Sequence, residues 1–275
     1  MNNPDWLTID AGGLPRYVPR RFEDSQLVNC GFSTRTGGVS KPPYHSLNLS
    51  LAVGDDRDDV LANRRLFASG LGVDAAAIVV PDQIHSNRVA IVTQSDAGSG
   101  AIDHCDAVPA TDALITNTVG LPLALHFADC VGILFLDPVN SAIGAAHAGW
   151  RGTAANIVQV VIDAMKCEFG TYTANLLAAI CPAIEGNCYE VGDDVAYHFE
   201  EMFSGDKSVL GRCENTKWRV DLKMANCVLL RRAGVREMNV ALSRQCTSCR
   251  DDEFFSYRRD GVTGRMGGWI SLKRM

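Results

Sequence analysis

DALIT at 112–116, LPLALHFADC at 121–130, VGILFLD at 131–137 and SAIGAAHAG at 141–149 follow one another with only short breaks. Continuous apolar runs of this length, bounded by Pro and Asp, read as strands covered on both faces, so these segments are expected to be the central strands. Directly downstream, Ile157, Val160, Val161, Ala164 and Met165 recur at three-and-four spacing, which predicts an amphipathic helix from about Thr153 to Gly170. The local order is strand, tight Gly-rich turn, helix.

Further along the chain, NLLAAICPAI at 175–184 reads as another buried strand, and 192–203 and 220–233 read as helices, the second carrying the stripe Leu222, Ala225, Val228 and Leu229. The chain closes on a loop and strand around FFSYRRDGVTGRMGGWISL. Upstream, CGFSTRTGG reads as a strand entering a loop, 58–71 as a helix stopped by Gly70 and Gly72, and 78–81 and 89–93 as strands. Between them and the central block, 95–107 is rich in Gly, Asp and small residues and reads as a surface loop between paired strands. Strands alternating with helices predict a layered α/β fold. With no repeat or linker, 26–275 reads as a single domain, preceded by a packed or partly flexible N-terminal extension at 1–25.

Composition narrows the function classes. Of 275 residues, 47% are hydrophobic and 21% charged, which excludes a disordered chain. The formal charge of -6 and the scattered Lys and Arg offer no stripe for a phosphate backbone, so nucleic acid is not expected as a partner. No apolar run is long enough to span a bilayer, and MNNPDWLTIDAGGLPRYVPRR lacks the apolar region of a signal peptide, so no membrane association and a cytoplasmic location are expected. The ten cysteines are then expected to stay reduced, most of them as buried small residues.

Three of the chemistry-bearing residues stand out together. His85 in QIHS, Cys130 in ADC and His147 in HAGWRG offer two imidazoles and a thiolate, the donor types zinc prefers, and catalytic zinc sites commonly use three protein ligands. Their intervals of 45 and 17 residues are too wide for a zinc finger, so a folded domain must assemble them. Cys130 and His147 each border a buried strand and each have a Gly two residues later; taken singly, they read as a packed thiol and a hydrogen-bonded core imidazole, and it is the set of three that points to a metal. Arg151 in the same HAGWRG turn offers a cation where a helix begins, suited to phosphate or to capping a carbonyl. Arg35 in TRTGGVS and Asn48 in SLNLS lie in small-residue turns, and Tyr257, Arg258, Arg259 and Arg265 read as a surface basic cluster. Cys246 and Cys249 form a CxxC with no second CxxC, which leaves a four-cysteine zinc ribbon unsupported, and His104-Cys105 lies in a polar loop.

Taken in order, FSTRTGGVS, SLNLSLAVGDD, QIHSNRV, DALIT, ADCVGILFLDP, IGAAHAGWRG, NCYEVG and FFSYRRDGVTGR resemble the YfiH/YlmD family of purine nucleoside phosphorylases, formerly described as polyphenol oxidases or laccases. The resemblance covers the chain from Cys30 onward, and ICPAIEGNCYEVG departs from the family's more usual Gly-Pro and paired-Cys form. It implies a four-layer α/β/β/α sandwich with mixed sheets, similar to that of deamidating toxins, and a zinc triad of His85, Cys130 and His147, with copper as the lesser candidate. It also implies phosphorolysis of adenosine, inosine, guanosine and methylthioadenosine, with inorganic phosphate as co-substrate and adenosine deamination as a second activity, in a monomer or homodimer.

Within that expectation Cys130, His147 and His85 are the catalytic set, Arg151 and Arg35 neutralise phosphate, and Asn48 and Gln83 bind sugar or base. Asp129 is either a proton carrier for deamination or a carboxylate holding a nearby amide. Two other readings stay open on the residues: a thiol hydrolase or deamidase with Cys130 as nucleophile and His147 as base, and a non-enzymatic metal-binding regulator.

Overall fold

The protein, described by a computed structural model over residues 5–203, 205–213 and 217–274, is built on two large sheets and a small one. The first large sheet is antiparallel throughout and runs Trp6–Asp10, Pro15–Pro19, Val28–Ser33, Met266–Leu272, Leu123–Phe127. The second is mixed and runs Val240–Leu242, Leu177–Ile180, Val131–Asp137, Ala142–Ala148, Ala113–Thr116, Val89–Ile91, with the outermost pair at each edge parallel and the inner pairs antiparallel. A three-stranded patch joins Glu190–Val191, Trp218–Val220 and Leu210–Arg212.

Alternation along the central strands decides which core each side chain enters. Leu134, Leu136, Ile143 and Ala145 turn toward the antiparallel sheet and pack with Phe32, Leu125, Phe127 and Ile270. Their neighbours Ile133, Phe135, Ala146 and Ala148 turn the other way, onto the helices Ile157–Phe169, Asp193–Phe203 and Leu222–Arg232. Both faces are therefore dry, which is why these strands read as unbroken apolar runs. On the far side of the antiparallel sheet, the helix Arg57–Leu71 places Phe67, Ala68 and Leu71 against Ala124 and Trp269. Asp56 caps that helix by accepting from the Asp58 and Asp59 amides, and Gly72 ends it in the left-handed region at φ 70.

Three expectations differ in detail. The helix expected from about Thr153 divides into Trp150–Ala154 and Ile157–Phe169, because Asn156 takes φ 53 and its side chain caps the second helix at the Gln159 amide. LPLALHF is not a central strand: its residues 123–127 end the strand order of the antiparallel sheet, a placement that apolar runs covered on both faces do not encode. The segment 78–81 pairs only through single bridges, Val79 with Leu123 and Pro81 with Val108. The described part of the 1–25 extension supplies the edge hairpin of the antiparallel sheet and a short helix, Arg20–Ser25, that buries Phe22; residues 1–4 lie outside the described residues. No helix among the described residues is long and apolar enough to cross a membrane.

Candidate active site

The interval from Cys130 to His147 is a hairpin. Val131 pairs with Ala148 and Gly132 with His147, so Cys130, one step before Val131, meets the chain just beyond Ala148. His147 shares the face of Ile143 and Ala145 and points between the sheets, its ring 5.8 Å from that of Phe127. The two glycines noted in the sequence make this approach possible. A Cβ on Gly149 would stand 3.0 Å from His85 Cδ2 and 3.1 Å from Cys130 Sγ, and one on Gly132 would stand 2.9 Å from the Phe127 ring.

His85 arrives from a separate loop at φ 63, an uncommon conformation for a residue with a Cβ. Its Nε2 lies 3.9 Å from Cys130 Sγ, and its ring centre lies 4.8 Å from that of His147. One donor atom from each of His85, Cys130 and His147 falls within 4.8 Å of the others, with His85 exposed, Cys130 half-buried and His147 buried.

A single buried carboxylate holds both histidines. Asp112, the first residue of DALIT, accepts from the His85 amide at 3.0 Å and from His147 Nδ1 at 2.8 Å through Oδ1. Its Oδ2 accepts from the Ile84 amide at 3.2 Å and from the Ser86 amide and hydroxyl at 2.6 and 2.8 Å. With Nδ1 committed to Asp112, His147 has Nε2 left for a ligand, the arrangement by which carboxylates fix the tautomer of metal-binding imidazoles. Burial opposes ionisation of Cys130, but the positive charge of His147 and hydrogen bonds to both histidines outweigh it and take the thiol below its ordinary value. His147 moves the opposite way, since the Cys130 charge and the bond to Asp112 outweigh its own burial.

The three residues lie in a cavity of about 430 Å³, the size of a small-ligand pocket, whose wall also includes Arg64, Gln83, His104, His126, Tyr257 and Arg265. Arg64 is 2% exposed and donates to the Leu49, Gly100 and Ala101 carbonyls, and burial lowers its pKa to about 10. His126 is buried, its Nε2 meets no protein partner, and burial together with the Arg64 charge holds its pKa well below the ordinary imidazole value. The cavity wall thus combines a neutral imidazole and two charged guanidinium groups with the three metal-type donors.

Of the other residues singled out in the sequence, Gln83 reaches this wall, clamped to the backbone of His126 by a pair of 2.9 Å bonds. Arg35, Asn48 and Arg151 do not line it. Arg35 donates to the His45 and Asp251 carbonyls and lies over Phe255. Asn48 is buried and bonded to Ser50, Asp55 and the Arg265 amide, and exposed Arg151 stacks on Trp150. Asp129 has both oxygens engaged, by Thr247 on one side and by Ser256 and the Arg258 amide on the other, which fits the structural alternative. Arg265 does not belong to a surface basic cluster, because its side chain turns into the cavity.

Asp112, Arg64 and His126 were not singled out by sequence reasoning. Two of them carried a signal: Arg64 interrupts the apolar face shared by Val60 and Phe67, and Asp112 opens a strand with no polar position after it until Thr116.

Residues 29–273 match the family described as multi-copper polyphenol oxidoreductase laccase. Over 272 residues the chain is 41% identical to the purine nucleoside phosphorylase YlmD of Geobacillus stearothermophilus, covering 98% of each chain. It is 36% identical over 233 residues to the adenosine deaminase RL5 from an unknown prokaryotic organism, covering 84% of this chain and 88% of that one. The crystal structure of YlmD from Geobacillus stearothermophilus superposes with a TM-score of 0.93 at 38% identity, covering 98% of this chain and all of that one.

Proposed function

The chain belongs to the multi-copper polyphenol oxidoreductase laccase family, which takes in the YfiH and YlmD proteins, and on that footing we propose that it is a metal-dependent purine nucleoside phosphorylase. The observation that carries the reading is the meeting of His85, Cys130 and His147 in one cavity with Arg64, His126 and Arg265. Two imidazole nitrogens and one thiolate suit zinc, and three protein donors leave a position open, as in catalytic sites. His85 Nε2, Cys130 Sγ and His147 Nε2 would hold the ion, which when bound supplies a Lewis acid at this end of the cavity. Copper is the lesser candidate, because one cluster of two His and one Cys is small for a multicopper centre.

Phosphorolysis breaks the bond between the sugar and the purine while a phosphate oxygen joins the anomeric carbon. The protein must therefore place an anion on one side of the sugar and stabilise the departing base on the other. Arg265 and Arg64 give the cavity wall the positive charge that inorganic phosphate requires. His126 brings no competing charge, and its buried Nε2, which meets no protein partner, would reach a purine nitrogen or a sugar hydroxyl once the ring turns toward the cavity. Gln83 is the proposed wall of the base or sugar subsite; Asn48 acts indirectly, through the Arg265 amide. Arg35 and Arg151 remain outside this cavity and would act only at a distance. Adenosine, inosine, guanosine and methylthioadenosine form the proposed substrate class, and adenosine deamination is the second activity, in keeping with the name of RL5.

The three buried clusters, stacked as helix, sheet, sheet and helices, support a four-layer sandwich of the deamidating-toxin kind as the fold, with 26–275 as one catalytic domain. A cytoplasmic enzyme, monomeric or homodimeric and independent of nucleic acid and membrane, fits this reading.

A second reading has its own observation. Cys130, His147 and Asp112 form a chain of thiol, imidazole and orienting carboxylate, the pattern of a thiol hydrolase. His85 separates the two: a nucleophile needs no third donor, whereas a metal does. The deciding experiment follows phosphate-dependent release of base from adenosine and inosine by the zinc-loaded protein beside His85→Ala. Base and ribose phosphate from the wild type alone support the proposal. Turnover that survives in metal-free protein and stops on alkylation of Cys130 overturns it in favour of the thiol hydrolase.

A further inference from the structure

Around the turn whose Thr247 bonds Asp129, a second set of soft donors converges. Cys188, Cys246 and Cys249 have their sulfurs all within 4.8 Å of one another, and none of the three lines the cavity. The sequence offered only an isolated CxxC; the fold supplies the third thiol from 61 residues before Cys249. We propose that Cys188, Cys246 and Cys249 form a second metal site, which binds zinc or a similarly thiophilic ion through three thiolates and has a structural role.

The backbone builds this convergence. Ala183 and Cys246 form a parallel bridge, with the Ala183 amide bonded to Gln245 O and the Thr247 amide bonded back to Ala183 O. The turn after Cys246 is closed by the Arg250 amide on Cys246 O, and the turn before Cys188 by the Cys188 amide on Glu185 O. Both sulfur-bearing turns are thereby fixed with respect to each other before any ion arrives. The Glu185 amide points at Cys246 Sγ from 3.4 Å, an N–H donor placed where a thiolate would accept. Exposure is graded from buried Cys246 through half-buried Cys188 to exposed Cys249, giving the ion a way in and leaving room for a fourth ligand.

A disulfide accounts for less of this geometry. Cys188 and Cys249 sulfurs stand 3.2 Å apart, unbonded, and a bond between them would leave Cys246 aimed at the same point with nothing to bind. C-x2-C spacing supplies two zinc ligands from one turn, and a third from a separate loop is the usual way such a site ties two segments together. Here the segments matter to the cavity. Thr247, inside the CxxC turn, donates to Asp129 Oδ1 at 2.7 Å, and Asp129 immediately precedes Cys130. The ion would reinforce the turn whose Thr247 bonds Asp129, the residue before Cys130.

The test is metal stoichiometry on the full chain, purified reduced after growth with zinc. The expected result is two equivalents per chain for wild type, one for His85→Ala, one for Cys249→Ser and none for the combined variant. After exchange into cobalt, His85→Ala should keep a sulfur-to-cobalt charge-transfer band, which depends on no variant at the cysteines themselves. One equivalent that is lost in Cys249→Ser but kept in His85→Ala would leave this site standing and remove the other. A single equivalent lost in His85→Ala and unchanged in Cys249→Ser overturns the proposal, as does a Cys188–Cys249 disulfide in the protein as isolated.

Discussion

Replacing Asp112 by Asn tests the centre of the site with the loss of one charge and almost no volume. The carboxylate meets five donors: the amides of Ile84, His85 and Ser86, the Ser86 hydroxyl and His147 Nδ1. Asn has one carbonyl oxygen, so whichever way the amide lies its NH2 faces at least two of those donors. Two unmet buried donors at about 1–3 kcal/mol each place the loss near 3 kcal/mol. For a chain this long that corresponds to a Tm lower by roughly 6–12 °C. His147 also loses the partner that fixes its tautomer, so zinc affinity should fall about 10–100-fold. The acid limb of stability should change as well. Burial raises the Asp112 pKa, but bonds from His147 and Ser86 outweigh it and hold the carboxyl below its ordinary value. That contribution is complete above the unfolded value of about 3.9 and is lost as pH falls through the lower folded one, so the variant should lack it. Competition with a chromophoric chelator and thermal melts across acid pH measure both effects. Wild-type zinc affinity in Asp112→Asn would mean that Asp112 does not orient His147 for the ion.

Three further outcomes follow from the same geometry. Gly149→Ala would press a methyl against His85 and Cys130, so zinc affinity should fall at least about tenfold with a stability cost of about 1–3 kcal/mol, read by chelator competition and urea melts. His126→Phe removes a nitrogen that has no protein partner, so metal content and Tm should hold while kcat/KM for nucleoside falls about tenfold or more, the worth of one buried hydrogen bond. In metal-free protein Cys130 should alkylate readily from pH about 6 upward, because its folded pKa lies below the ordinary thiol value and the thiolate persists down to that pH; His147→Gln should move the profile toward the ordinary thiol value.

The parts of the fold that were legible in the sequence are those with a period or an uninterrupted apolar run. The helix at 57–71 and the strands at 131–137 and 142–148 could be read because burial on one face or on both writes itself directly into residue type. The hairpin also made the Cys130–His147 pair legible, since the glycines at 132 and 149 lie where side chains would collide. Sheet membership was not legible: 123–127 and 131–137 are both buried, mainly apolar runs, yet only pairing to the distant strand 266–272 sends the first to the other sheet. Long-range acceptors were hidden for the same reason. Nothing local marks that Arg64 finds carbonyls at Gly100 and Ala101, or that Cys188 meets Cys249.

The two loops that carry the proposed ligands have residues in the left-handed region that are not glycine, His85 at φ 63 and Asp129 at φ 84, next to Cys130. Such a conformation costs about 1–3 kcal/mol per residue and persists only where its surroundings over-determine it. Here the surroundings are two buried carboxylates. Asp112 gathers three successive amides of the His85 loop, and Asp129 engages Thr247, Ser256 and the Arg258 amide. Neither network includes the ion, so the protein positions the three donors without it. An ion entering a preformed site adds stability by mass action alone, about 2.7 kcal/mol at a hundredfold excess over Kd, and does not build the fold. Chelation that strips the ion from the His85 cluster should therefore lower Tm in proportion to the logarithm of free zinc while leaving the near-ultraviolet circular dichroism unchanged. Loss of that signal on chelation of Cys249→Ser protein, where only this site remains, would mean that the ion assembles the site and that the two carboxylates do not.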